Sequence, residues 1–282
     1  MLKTRVVTAA LLLVVFLLAL FILPQPGWTA FATLVSAIAA WEWGGLMRLR
    51  SPVRFMVGVV LALICLFISI WQPAALGISP GFAESAWYLG RWFYLPAAAF
   101  WLFLVPLWIK RRWPLPKSLG GLAIGALLIF PTWLALVQLR QAGPWVLLGI
   151  LAMIWLADIA AYFSGRAFGK HKLAPSISPG KTWEGAVGGG IAVLIFGFML
   201  LLMLPNVFSG KYVISYSAFS LALIFLTAIS IVGDLFESYL KRQAGLKDSS
   251  NVLPGHGGVL DRIDSQTSTL PLVALVWLTV LH

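Results

Sequence analysis

Charged residues are scarce in this sequence. Of its 282 residues only 10% are charged and 61% are hydrophobic, and the mean hydropathy is +0.95. Soluble domains carry roughly 25% charged residues. A water-soluble globule could not hide so much apolar surface, so the composition excludes a soluble domain and predicts that much of the chain faces lipid.

Cysteine is nearly absent, with Cys65 alone in the chain. A single cysteine excludes an intrachain disulfide framework and a cysteine-rich zinc site. Cys65 lies in an apolar stretch, where a buried and inert thiol is the expected role.

Acidic residues are also few, and they are unevenly distributed. The chain has nine, and the N-terminal half contains only Glu42 and Glu84. We therefore expect the chemistry in the C-terminal half. The other seven acidic residues are Asp158, Glu184, Asp234, Glu237, Asp248, Asp261 and Asp264.

Long apolar runs dominate the remainder of the sequence. A membrane-spanning helix needs roughly 20 mostly apolar residues, and the runs are continuous rather than alternating, which disfavours a β-barrel. The sequence predicts an all-α polytopic membrane protein with about nine transmembrane helices, and residues 73–92 are too broken to span. The nine predicted spans are 6–23, 28–47, 55–72, 93–109, 119–137, 145–165, 186–204, 215–235 and 267–281.

The basic residues alternate from loop to loop along these spans. With the N-terminus inside, 17 of the 20 Lys and Arg residues fall in inside segments. Cytoplasmic loops carry such an excess, whereas a nucleic-acid-binding patch need not alternate. We therefore expect no nucleic-acid partner, a cytoplasmic N-terminus, an outside C-terminus and cytoplasmic loops at 166–185 and 236–266.

This topology divides the chain into two regions. Residues 1–137 are predicted to form a scaffold of lipid-facing transmembrane helices. Residues 138–282 are predicted to form the catalytic transmembrane region with both polar loops. Gly185 and Gly189 permit close helix packing, within one chain or across a homodimer.

Four carboxylates stand out by their positions. Asp158 lies within the sixth predicted span, where a charge is costly; it belongs either to a polar site or to a structural pair with a lysine. Asp234 ends the eighth span, and if that helix continues, Glu237, Ser238 and Lys241 share its face. Asp261 and Asp264 lie three residues apart and point the same way on a helix, where they bind a cation or balance nearby basic residues.

Two loops contain residue types that bind phosphate. The segment 253–258 is rich in glycine and contains His256, and it is either a phosphate-binding loop or a plain turn. The loop 166–185 is basic and includes Gly180-Lys181-Thr182, but a P-loop is excluded because Pro175 occupies the position of its first glycine. A basic loop resting on anionic lipid headgroups is the alternative.

Together these residues suit phosphoryl or nucleotidyl transfer, in which a metal and cations neutralise developing charge. A cation-coupled transporter is the main rival, because acidic residues within a membrane also mark ion pathways. Transporters often contain inverted repeats, and the acid-poor N-terminal half disfavours them. A non-catalytic lipid-binding or lipid-flipping protein stays open as a third class.

Residues 238–264 read Ser238-x-Leu-Lys-Arg-x4-Lys-Asp-x-Ser-x2-Leu-Pro-x-His-Gly-Gly-Val-x-Asp-Arg-Ile-Asp264. This stretch resembles the signature of the phosphatidate cytidylyltransferases, also called CDP-diacylglycerol synthases, and 158–185 resembles the family's second recognisable region. The resemblance implies that CTP and phosphatidic acid react with Mg²⁺ to give CDP-diacylglycerol and pyrophosphate. It also implies an active site on the cytoplasmic face of a bacterial-type inner membrane.

The resemblance also implies site residues. The metal ligands would be Asp234, Asp261 and Asp264, with Asp248 and Asp158 as further candidates and a second cation in a paired-metal site. The catalytic set would be Asp234, Lys241, Arg242, Lys247, Asp261 and Asp264. The substrate-binding set would be Arg166, Lys170, Lys172, Lys181, Thr182, Ser238, His256, Gly257 and Gly258.

Overall fold

The structure is a computed structural model that describes residues 2–79, 84–203 and 215–281. Within these ranges the chain folds into ten α-helices and one β-hairpin, with short 3₁₀ or π segments between or after helices. The helices are α1 (Leu2–Ile22), α2 (Gln25–Leu46), α3 (Ser51–Trp71), α4 (Glu84–Ala99), α5 (Val105–Arg111), α6 (Leu119–Leu139), α7 (Pro144–Phe168), α8 (Trp183–Met203), α9 (Tyr216–Ala244) and α10 (Leu260–Val276); the strands are β1 (Lys172–Ala174) and β2 (Ser178–Thr182).

The all-α prediction is confirmed apart from the hairpin, and each of the nine predicted spans overlaps a helix. Among the described residues, six helical stretches are long and apolar enough to cross a membrane, which makes this an integral membrane protein. The count of nine spans and the orientation of the termini stay predictions. The six stretches are Ser51–Trp71, Trp87–Arg111, Leu119–Ala142, Pro144–Phe168, Trp183–Met203 and Tyr216–Ala244.

The segment predicted to be broken, 73–92, is only partly irregular. A 3₁₀ turn covers Pro73–Leu76, but α4 already begins at Glu84 rather than near 93. No proline lies between residues 84 and 95, so nothing in that stretch prevents helix formation. Residues 80–83, which include Pro80 and Gly81, lie outside the described ranges.

Proline and glycine set several helix boundaries. Pro26, Pro52 and Pro144 lie in the first turns of α2, α3 and α7, where the missing N–H group has no helical partner to lose. Gly245 ends α9 with a φ of +69°, a left-handed conformation that glycine adopts without steric penalty. Gly245 therefore explains why α9 stops at Ala244, inside the signature segment 238–264.

Helices α7 and α8 pack closely through glycine. A β-carbon at Gly185 would lie 2.7 Å from the carbonyl oxygen of Ala161, and one at Gly189 would lie 2.8 Å from that of Ala157. Only glycine permits this approach of two backbones. The glycine pair therefore packs within the chain, and it gives no support to the predicted homodimer.

An aromatic cluster holds α9 against α5 and against the π-helical segment Phe100–Leu104 that precedes it. The ring of Phe236 lies edge-on to Phe100 at 5.9 Å between centroids, and to Trp101 and Trp108 at 5.7 Å each. Edge-to-face aromatic pairs at such distances stabilise by about 0.5–1.5 kcal/mol each. Phe236 is flanked by the polar residues of α9, so this packing fixes the orientation of the face that carries Asp234 and Glu237.

Candidate active site

Carboxylates from three helices converge with one lysine from the hairpin. Asp158 lies on α7, Asp234 on α9 and Asp264 on α10, and the three are close enough for their charges to repel. Lys181 Nζ on β2 lies 2.6 Å from Asp234 Oδ2, and Ser265 Oγ donates to Asp158 Oδ2 at 3.4 Å. We call Asp158, Lys181, Asp234 and Asp264 the acidic cluster.

The face of α9 forms as predicted, because the helix continues past Asp234 to Ala244. Ser238 Oγ donates a hydrogen bond to Asp234 Oδ1 at 3.1 Å. One turn further, Lys241 Nζ donates to Glu237 Oε2 at 2.7 Å. The shared face therefore contacts two groups of charges, the acidic cluster at Asp234 and a second group around Lys241.

This second group places one cation between two carboxylates. Lys241 Nζ also donates to Asp261 Oδ1, at 2.6 Å. The side chains of Lys241, Glu237 and Asp261 are only 11%, 6% and 3% exposed. Because water is largely excluded from these side chains, each charge is stabilised mainly by the opposite charge beside it. We call these three residues the lysine-centred cluster.

Asp261 is the more fully bonded of the two acids at the start of α10. Its Oδ2 atom accepts from the backbone N–H groups of Ser249 and Gly258, at 2.8 Å each, and from Ser249 Oγ at 3.0 Å. Burial acts to raise the pKa of Asp261, but the Lys241 hydrogen bond and the backbone donors outweigh it and hold the pKa below its usual range. Asp261 is therefore an ionised carboxylate already engaged by four donors.

Asp264 differs from Asp261 although both lie on α10. Its Oδ1 accepts from the backbone N–H of Ser265 at 2.7 Å, and its strongest electrostatic neighbour is the like charge of Asp234. A carboxylate that faces other carboxylates has spare acceptor capacity and a negative surrounding, both of which favour binding of a cation.

The structure adds an acid that the sequence reasoning missed. Glu42 on α2 is fully buried, with 0% exposure, and its carboxylate contacts the segment that precedes α10. Ser250 Oγ and the Leu260 N–H each donate to it at 2.6 Å. A sequence signal was present, since Glu42 is an acid inside an apolar predicted span, the same argument that singled out Asp158.

The glycine-rich segment 253–258 forms a tight turn next to Glu42 and Asp261. Gly255 and Gly257 have φ values of +76° and +81°, and Leu253 N–H donates to the Gly257 carbonyl at 2.9 Å. A β-carbon at Gly258 would lie 2.5 Å from Glu42 Oε1, so no side chain fits there. His256 is half-buried, and its Nδ1 atom is buried with no hydrogen-bond partner.

The basic loop separates into residues that reach the acidic cluster and residues that do not. Lys181 contacts Asp234, as described above. Thr182 is buried and its Oγ1 accepts from Gly185 N–H at 3.1 Å, which caps the start of α8; its predicted role in substrate binding stays a prediction. The remaining predicted substrate-binding cations of this loop are exposed, and they are Arg166, Lys170 and Lys172.

The remaining predicted charges lie at the end of α9 and just beyond it. Arg242, Lys247 and Asp248 are exposed, and Arg242 Nη1 donates to the Leu246 carbonyl at 3.4 Å. The structure leaves these three side chains outside the two clusters. Their predicted catalytic and metal roles therefore stay predictions.

The acidic cluster has the donor chemistry for a hard cation. Carboxylate oxygens suit Mg²⁺, which binds through a few carboxylates together with phosphate oxygens. Among the described residues, no group of three or more Asp, Glu, His or Cys side chains is arranged as a metal site. Asp234 Oδ2 is paired with Lys181. The carboxylates fit a hard cation by their chemistry, and the metal stays a prediction.

Comparison with known proteins gives one consistent family. Residues 3–280 match the model of the cytidylyltransferase family. The chain is 37% identical to a Haemophilus influenzae protein named phosphatidate cytidylyltransferase, over all of both chains. It is 36% identical to a Pseudomonas aeruginosa protein of the same name, over 98% of this chain and 97% of that one. A Brucella suis protein, also so named, is 33% identical over 97% of this chain and 92% of its own.

Proposed function

This chain belongs to the cytidylyltransferase family, and we propose that it condenses CTP with phosphatidic acid to give CDP-diacylglycerol and pyrophosphate. The observation that carries the proposal is the end-to-end match to relatives named phosphatidate cytidylyltransferase. The acidic cluster supports it independently, because it joins carboxylates to a phosphate-binding type of cation.

The reaction needs no nucleophile from the protein. A phosphate oxygen of phosphatidic acid forms a bond to the α-phosphorus of CTP, and the bond from that phosphorus to the oxygen bridging the β-phosphate breaks. Pyrophosphate leaves with the electron pair. Because the lipid phosphate is already ionised, no general base is required, and the protein acts by positioning and charge neutralisation.

We propose that Asp158, Asp234 and Asp264 would hold Mg²⁺; the metal-ligand roles predicted for Asp261 and Asp248, and a second cation, stay predictions. When bound, Mg²⁺ would supply neutralisation of the charge that develops on the phosphate oxygens. Lys181, which pairs with Asp234 in the structure, would bind a phosphate of CTP or of the lipid. Asp261 and Lys241 support the site from the lysine-centred cluster, while Arg242, Lys247 and His256 are candidates for further phosphate contacts.

The predicted topology places this chemistry at the cytoplasmic face of the membrane. In that topology both polar segments, 166–185 and 236–266, are predicted on the side that is rich in Lys and Arg. The relatives named above are bacterial, so we propose location in a bacterial-type inner membrane. Residues 138–282 would supply the catalytic side chains, and residues 1–137 would form the scaffold.

The test is an assay of pyrophosphate release by the purified protein in detergent. Release should require CTP, phosphatidic acid and Mg²⁺ together, and Asp264→Asn should abolish it while the variant stays folded. A folded wild-type sample that releases no pyrophosphate across several lipids and nucleotides would overturn the proposal and favour the transport alternative.

A further inference from the structure

Glu42 on α2 contacts a segment that lies far from it in the sequence. Its Oε1 atom accepts from Ser250 Oγ at 2.6 Å and from Val259 N–H at 3.0 Å. Its Oε2 atom accepts from Leu260 N–H at 2.6 Å and, at 3.2 Å, shares the one hydroxyl hydrogen of Ser249 with Asp261 Oδ2. One carboxylate on α2 therefore ties down both ends of the segment 249–260, more than 200 residues later in the chain.

Two of these donors belong to the beginning of α10. The first N–H groups of a helix have no partner within the helix, and Val259, at the N-cap position, provides no side-chain cap of its own. Glu42 supplies both the missing acceptor and a negative charge at the positive end of the helix. Since Leu260 directly precedes Asp261, this contact fixes the helix turn that carries Asp261 and Asp264.

We propose that Glu42 is a positioning residue of the active site. It holds the segment 249–260 and the start of α10 so that Asp264 lies near Asp158 and Asp234 while Asp261 contacts Lys241. This inference rests on the proposed function for its kinetic consequence. The restraint itself is a property of the fold and is measurable without activity.

The hydrogen-bond pattern shows why an amide cannot replace the carboxylate. Each Glu42 oxygen accepts from one serine hydroxyl and one backbone N–H. A hydroxyl can rotate to act as an acceptor, but a backbone N–H cannot. In Glu42→Gln, whichever way the amide is oriented, its NH₂ group meets either Val259 N–H or Leu260 N–H.

A buried polar residue elsewhere provides a matched control. Gln138 on α6 is also 0% exposed; it accepts from Tyr94 OH at 2.8 Å and donates to the Ala75 carbonyl at 3.0 Å. Gln138→Leu therefore breaks two buried hydrogen bonds, against four at Glu42, and neither of them involves the segment 249–260. This variant measures how much the loss of buried hydrogen bonds elsewhere in the helix bundle alters amide exchange and kcat.

The test combines hydrogen–deuterium exchange with kinetics on the full-length protein in detergent. In Glu42→Gln, amide exchange should accelerate within residues 249–264, and the kcat for pyrophosphate release should fall by about 10²-fold, the loss expected from a small misplacement of catalytic groups. Glu42→Asp, which keeps the charge, should restore part of both. Gln138→Leu should leave the amide exchange of residues 249–264 and the kcat at their wild-type values.

The two arms separate the two proposals. A wild-type protein without pyrophosphate release overturns the proposed function, while accelerated exchange in Glu42→Gln still supports the restraint. Exchange that stays at the wild-type rate, or that rises equally throughout the chain in Glu42→Gln and Gln138→Leu, overturns the positioning role. A wild-type kcat in Glu42→Gln overturns it as well.

Discussion

Two polar regions lie side by side on α9 and α10, and they are built differently. In the lysine-centred cluster, one cation lies between two carboxylates, and Asp261 accepts from four donors. In the acidic cluster, three carboxylates face each other with Lys181 as the cation in contact. In the first region the cation contacts both carboxylates, although Glu237 Oε1 is buried without a hydrogen-bond partner, whereas the second has an excess of negative charge.

This difference shows that neighbouring acids of one signature need not share a role. A buried group of paired charges fixes geometry, because removing its cation leaves uncompensated charge. An acidic cluster with unmet charge attracts a cation. We infer that Asp234 and Asp264 act on the reaction and that Glu237 and Asp261 maintain the structure around them.

The largest expected effect is on the acidic cluster. Asp234→Asn removes a charge that would hold the cation, so we expect pyrophosphate release to fall by about 10²–10³-fold, as for loss of a group that stabilises transition-state charge. The unfolding temperature should not fall, because repulsion among the carboxylates is relieved. Glu184→Gln, which changes an acid bonded instead to His171, is the control and should keep wild-type activity.

The next prediction concerns stability rather than catalysis. Lys241→Met leaves Glu237 and Asp261 buried without their cation, so the free energy of unfolding should fall by about 3–5 kcal/mol. Thermal unfolding in detergent measures this. Lys247→Met removes an exposed lysine and should leave the midpoint within experimental error. Equal thermal unfolding midpoints for Lys241→Met and Lys247→Met would contradict the structural role assigned to the lysine-centred cluster.

The smallest expected effect concerns Thr182. Thr182→Ala loses the cap of α8, which should lower the free energy of unfolding by about 1 kcal/mol with little change in the KM for CTP. Thr182→Ser keeps the hydroxyl and should behave as wild type. A large rise in KM for CTP in Thr182→Ala, without loss of stability, would instead support the substrate-binding role predicted from the sequence.

Much of the fold was predictable because membrane insertion constrains the sequence strongly. The apolar runs overlap each α-helix in the described part of the chain, and Gly245 marks the end of α9. The start of α4 was missed because Pro80 and Gly81 suggested a break that does not extend beyond Glu84. The hairpin was missed because its strands are three and five residues long and contain Pro179 and Gly180, which are uncommon in strands.

The candidate site was predictable as a set of residues but not as two clusters. The three-residue spacing of Asp261 and Asp264 indicates a shared helix face, and both lie on α10. It cannot show that Lys241 and the Ser249 backbone engage Asp261, because those contacts depend on how α9 packs against α10. The partnership of Glu42 with Leu260 was beyond sequence reasoning, since it joins residues 218 positions apart.

Binding of Mn²⁺, a spectroscopic substitute for Mg²⁺, measured by electron paramagnetic resonance on the purified protein, tests the central distinction most directly. Asp234→Asn should weaken binding by more than the roughly 10-fold to 100-fold loss typical of removing a group that only hydrogen-bonds to a ligand. Glu237→Gln should bind Mn²⁺ as tightly as wild type. Equal weakening in both variants, or unchanged binding in Asp234→Asn, would contradict the assignment of the cation to the acidic cluster.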